Sequence, residues 1–155
     1  MSNLIYAVMS IAMTSAAMYA SIAYVDVYAP VRRKLEYRLE CGFDELGRGY
    51  DKFVYANPTA RPASMQDITP SYAFIPPAIW ENSVWDYGVG ANPTSAYFCF
   101  YAPFNQTRLE AAKQLFSKYS PQAFFINTAC GATANNYPSN IIGETNLSIT
   151  LWVSN

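Results

Sequence analysis

The chain has 155 residues, of which 52% are hydrophobic and 14% charged; it has no histidine, and its formal net charge is −1. The lack of histidine excludes any imidazole ligand or general base. The balanced charge, with no late basic patch, argues against a nucleic-acid binder, whose footprint is a net positive field.

The first 29 residues carry one charged side chain, Asp26. Leu4 to Val25 is a run of 22 residues without charge, glycine or proline. As a helix it reaches roughly 33 Å, against a bilayer hydrocarbon core of about 30 Å. A cleavable signal peptide is the first rival reading. Ala17, Ala20, Ser21 and Ala23 resemble its small-residue cleavage site, but Met1-Ser2-Asn3 lacks the basic n-region. A buried soluble helix is the second rival, and the run is long for one. Ala12, Ala16 and Ala20 form a small-xxx-small ladder, the surface that lets helices approach closely where lipid offers no hydrophobic drive. The expectation for residues 1–27 is a membrane or filament-core helix.

Charge then becomes dense, and the pattern turns amphipathic over 28–57. Val31, Leu35, Leu39, Leu46, Tyr50 and Phe53 recur at helical spacing, with Gly42 filling the stripe. Other faces carry Arg32, Arg33, Lys34, Glu36, Arg38, Glu40, Asp44 and Glu45. The two patterns abut, which predicts one helix from Leu4 to Ala56, roughly 80 Å long. Pro30 inside that run predicts a kink, because it removes a backbone donor and clashes with the carbonyl of Asp26. Asn57-Pro58 predicts the stop.

Residues 58–155 read as a small α+β head. From 58 to 96, prolines and glycines alternate with aromatics such as Tyr72, Phe74, Trp80 and Trp85. Disordered chains are poor in aromatics, so this is a packed irregular loop or a set of short edge strands. It also qualifies as a contact surface. Ala96 to Tyr101 predicts a strand. A helix follows, with Thr107 and Glu110 matching a capping box and Pro121 as terminator. Gln122 to Asn127 predicts a second strand, Gly131 to Glu144 a surface loop, and Asn146 to Val153 an alternating, half-buried strand. The fold class is α+β: a long N-terminal helix, apolar half then amphipathic half, packed on a small antiparallel or mixed sheet of three or four strands.

Three cysteines, Cys41, Cys99 and Cys130, allow three single pairings. A strand-helix-strand unit brings Cys99 and Cys130 near each other, and a disulfide there implies an oxidising compartment. The basic cluster Arg32, Arg33, Lys34 and Arg38 points the other way under the positive-inside tendency; an exterior head is the expectation. From Phe53 onward only nine charged side chains occur, a surface suited to packing against copies of itself.

Chemistry-bearing motifs are few. The cysteines lie 58 and 31 positions apart, unlike a compact zinc knuckle. Gly88-Val89-Gly90 lacks the rest of a dinucleotide fingerprint. Asp67, Glu81 and Asp86 are candidate paired carboxylates, but loop acids are usually solvated. Asn105-Gln106-Thr107 and Asn146-Leu147-Ser148 fit the glycosylation triplet, for which chance is the better account. No enzyme, cofactor or metal site is expected.

The layout, MSNLIYAVMSIAMTSAAMYASIAYV running into YAPVRRKLEYRLECGFDELGRGYDKF, then a loop and an α+β domain with two late cysteines, resembles the type IV pilin family. The resemblance implies a filament subunit whose apolar half-helix forms the filament core, with a helix kink matched by Pro30. It implies a late disulfide at Cys99 and Cys130. It also implies partners that are copies of itself or related pilin-like subunits, with membrane lipid before assembly, and a cell-surface location. Ile5 stands where the family carries glutamate and no basic leader precedes Met1, so the expectation is a divergent or minor subunit. The alternative is a single-pass anchored protein whose extracytoplasmic domain binds an envelope or virion component.

Overall fold

A computed structural model describes residues 6–15, 18, 26–92 and 95–154, the side chain of Ser154 excepted. The chain divides into two compact units, Met1–Pro30 and Val31–Asn155. In the first, residues 6–15 are helical.

The long helix expected from Leu4 to Ala56 is corrected. Helical geometry is interrupted at 26–28, where the Asp26 carboxylate accepts the Tyr28 N–H (3.0 Å) and the Asp26 carbonyl accepts the Ala29 N–H (3.1 Å). Short acidic side chains favour this kind of local turn over helix continuation. Among the described residues the longest helix is α1 (Ala29–Ala56), which starts after that turn and is amphipathic, not apolar. Pro30 is the second residue of α1, so it opens a helix where a kink was expected; its missing N–H has no intrahelical acceptor there in any case. Among the described residues no helix is long and apolar enough to cross a membrane.

The sheet is four-stranded and antiparallel: β1 (Val84–Val89), β2 (Ser95–Phe104), β3 (Phe124–Asn127) and β4 (Thr145–Ser154), in the order β1-β2-β4-β3. Tyr97 sits opposite Trp152, and Ile126 opposite Ile149. Because both β2 and β3 are antiparallel to β4, they run parallel to each other with β4 between them. Two short helices complete the head, α2 (Met65–Ile68) and α3 (Gln106–Gln114), the latter followed by a 3₁₀ turn at Leu115–Ser117. The cap of α3 is Asn105, whose side chain accepts the Arg108 N–H at 3.0 Å, in place of the expected Thr107. Glu110 instead accepts from the Gln106 amide at 2.8 Å.

One core lies between the inner face of the sheet and the helices. Period-two alternation sends Trp85 and Tyr87, then Ala96, Phe98, Phe100, Ala102 and Phe104, then Leu147, Ile149 and Leu151, into it. From α1 come Leu39, Phe43, Leu46 and Tyr50, all 1% exposed or less. The flanks of the expected stripe are less buried: Leu35 and Phe53 are partly covered, and Val31 is 48% exposed. Phe43, absent from that stripe, is at its centre, with its ring edge-on to Trp85 (5.0 Å), Phe124 (6.2 Å) and Tyr119 (6.3 Å). Gly42 makes this approach possible, because a Cβ there would stand 2.4 Å from the Trp85 ring. Tyr87 reaches through the layer to donate to the Pro62 carbonyl at 2.9 Å, and burial pushes its phenol up to about 12.

Surface pairs bring the 3₁₀ segment onto α1. Lys118 bridges Glu36 (3.3 Å) and Glu40, and Tyr119 donates to Asp44 at 2.9 Å while stacking on Phe124. The two carboxylates raise the Lys118 ammonium, the hydrogen bond to Glu40 being the largest cause. Burial, then the Asp44 bond, raises the Tyr119 phenol.

Truncating Phe43 to alanine should cost about 3–5 kcal/mol in urea unfolding, the range for a fully buried aromatic. Val31→Ala should change stability by no more than about 0.5 kcal/mol. Equal effects would mean that α1 does not seat through Phe43.

Candidate functional site

The strip of α1 next to its buried face carries Tyr37, Arg38, Cys41, Gly42 and Glu45, which fall within about two turns on one side of the helix. Facing it is Phe74-Ile75-Pro76-Pro77-Ala78-Ile79. Consecutive prolines forbid helix and keep this segment extended. Between the two lies an open groove of about 440 Å³. Two tethers hold its walls. Arg38 donates to the Ile79 carbonyl at 3.4 Å, and the Ser83 hydroxyl accepts the Ile79 N–H at 3.1 Å while donating to the Trp80 carbonyl at 2.7 Å.

The groove is apolar where it meets solvent: Tyr37 is 66% exposed, Phe74 73% and Ile75 57%. Its charged groups are Arg38 and Glu45, and Glu45 is engaged by Arg48 at 3.5 Å. Cys41 is a free, exposed thiol, and its hydrogen bond and charge raise the Tyr37 phenol. The chain has no imidazole to activate that thiol. The arrangement offers apolar contact plus one cation, which is binding chemistry.

The opposite face of the sheet is organised differently. Cys99 on β2 is disulfide-bonded to Cys130, with Cα atoms 5.7 Å apart. The two meet because the segment after β3 crosses over β4, whose Thr150 sits opposite Cys99. Its crossing is pinned by Gly131 N–H to the Thr150 hydroxyl (3.1 Å), the Trp152 indole N–H to the Ala132 carbonyl (2.9 Å) and the Asn127 amide to the Ala134 carbonyl (2.9 Å). Gly131 has φ +77° and lies against the Tyr97 ring, where a Cβ would approach to 2.9 Å. Asn135 and Asn136 then pair with the backbone of Ile126, covering the outer edge of β3. Beyond this strap, toward β1, the outer face stays open: Val84 is 56% exposed, Tyr101 opposite it 36%, and Asp86 is exposed between them and Gly88.

The residues singled out by sequence fall in different places. Cys99 and Cys130 are bridged; Leu39, Leu46 and Tyr50 are in the core; Ala12 is an exposed helical residue; Ala16 and Ala20 lie outside the described residues. Asp67 is in α2, Glu81 in the turn before β1 and Asp86 on β1. Asp67 accepts the Ala63 and Ser64 N–H groups (2.8 and 2.9 Å), which hold its carboxyl below the usual range. Among the described residues no cluster of three or more His, Cys, Asp or Glu is placed to hold a metal. The groove itself was not singled out, although its signal is present in the apolar run Phe74-Ile75 beside two prolines.

No family model matches the chain, nor does any curated protein or any solved structure.

Removing the disulfide by Cys99→Ser should destabilise the chain by about 3–4 kcal/mol, given the 31-residue separation it closes. Peptide mapping without reductant should recover Cys99 joined to Cys130 and Cys41 alkylated. A bridge to Cys41 would refute the strap.

Proposed function

We propose that the chain is a structural subunit of a pilus-like filament, assembling with copies of itself through its N-terminal hydrophobic segment. One observation carries this reading. Within the helical residues 6–15, Tyr6, Val8, Met9, Ile11 and Met13 are each 60% exposed or more. Covering such a side chain is worth about 1.5–3 kcal/mol, so the segment demands a partner. Lipid shields it before assembly, and the same segment of neighbouring copies replaces lipid afterwards. Alanines such as Ala12 leave room for that close approach.

The head fits the same role. It offers few charges to repel a neighbour, and its disulfide suits an oxidising exterior. The second reading, an anchored protein whose exterior domain docks a different partner, draws on the apolar groove beside Tyr37 and Phe74.

Electron microscopy of the purified full chain separates the two. Long fibres are expected on removal of detergent; monomers or closed oligomers favour the second reading. Ile11→Lys places a charge in the proposed seam. Fibre yield should fall by more than about tenfold, because a lysine at an apolar helix centre costs at least a few kcal/mol, while the melting temperature of the head is unchanged. Fibres at the normal yield would overturn the role of the segment.

A further inference from the structure

We infer that copies of the head join head-to-tail, the groove of one receiving the open outer face of the next. This deepens the self-assembly reading above and rests on it. The two surfaces are matched in chemistry. The groove is apolar, with Tyr37, Phe74 and Ile75 exposed around the guanidinium of Arg38. The outer face is apolar, with Val84 and Tyr101 exposed beside the carboxylate of Asp86.

Within one chain each of the two centres meets a neutral backbone group. Arg38 donates to the Ile79 carbonyl. Asp86 accepts from the N–H of its neighbour Tyr87, at 2.8 Å. Among the described residues neither has an ion pair. The other groove charge, Glu45, is occupied by Arg48. The cation of the groove therefore fits the anion of the face, and the apolar groups around each exclude water from the pair.

Placement decides the kind of assembly. Trp85 and Tyr87 point from β1 into the core beneath α1, so the alternating Val84 and Asp86 point to the opposite side of the sheet. The groove is on the α1 side. A contact between two different surfaces on opposite sides of the head is not satisfied within a two-fold dimer; repeated, it builds a ring where the rotation between copies closes and an open filament where it does not. The strap crosses β4 and ends on β2 at Cys99 and Tyr97, and leaves Val84 and Asp86 of β1 exposed for it.

Cys41 lies in the groove and reports the contact. In full-length Val84→Cys protein, a short bis-maleimide should link the new thiol to Cys41 of the next copy and give a ladder of multimers on a reducing gel. Adding Arg38→Glu, or Asp86→Arg, should cut the ladder by about tenfold or more, since like charges then face each other. Mixing the two reversed proteins should restore it, because each supplies the charge the other lacks. A ladder indifferent to both reversals, no rescue on mixing, or linkage confined to Cys41-to-Cys41 dimers would overturn the contact. If fibres form at the normal yield in any of those cases, self-assembly stands and only this contact falls. If the unsubstituted chain forms no assembly at all, both fall.

Discussion

The edge-on meeting of Phe43 with Trp85 and Phe124 is the contact on which the head is built. It joins the middle of α1 to β1 at one end of the sheet and β3 at the other, so it sets both the height and the rotation of the helix. Gly42 admits the Trp85 ring, and Gly49, where a Cβ would stand 2.4 Å from that of Ala73, admits the segment after α2. With the helix seated this way, Leu39, Leu46 and Tyr50 have to face inward, and Tyr37, Arg38 and Cys41 have to line the flank that faces Phe74–Ile79. The groove is a by-product of that packing.

The disulfide acts on the other side of the same sheet. Without it the stretch from Thr128 to Asn136 would be held by the contact of Gly131 with the Tyr97 ring and by hydrogen bonds, each with a modest net worth of about 0.5–1.5 kcal/mol. Joined to Cys99, it is held across β4 where the Trp152 and Thr150 side chains complete its bonding. The sheet is thus covered by aromatic packing on its inner face and by a covalent strap over part of its outer face. What remains open is the β1 end.

Charge placement follows a consistent economy. Glu36, Glu40 and Asp44 descend one face of α1, and all three are met by Lys118 and Tyr119. Arg108 pairs with Glu144 at 2.7 Å and lies over the Trp80 ring. Exposed pairs of this kind are worth about 0–1 kcal/mol each. Their main effect is to orient the 3₁₀ segment and the loop before β4.

Local sequence determined the elements whose signal is periodic. The alternation from Leu147 to Val153 marked β4, the 3.6-residue recurrence of Leu39, Leu46 and Tyr50 marked the buried face of α1, and AYFCFY marked β2. Periodicity could not say where one helix ends and the next begins. Apolar and amphipathic patterns abut at residue 26, where the Asp26 carboxylate accepts the Tyr28 N–H and its carbonyl the Ala29 N–H, a matter of hydrogen-bond geometry over four residues. Tertiary structure alone decided the strand order, because pairing is a contact between segments far apart in sequence. It placed β4 between β2 and β3, so that Cys130 reaches Cys99 by crossing a strand. It also decided the groove: neither Tyr37 nor Phe74 carries a local signal for the other, and they face each other only because Phe43, nearly two turns further along α1, is packed beneath Trp85.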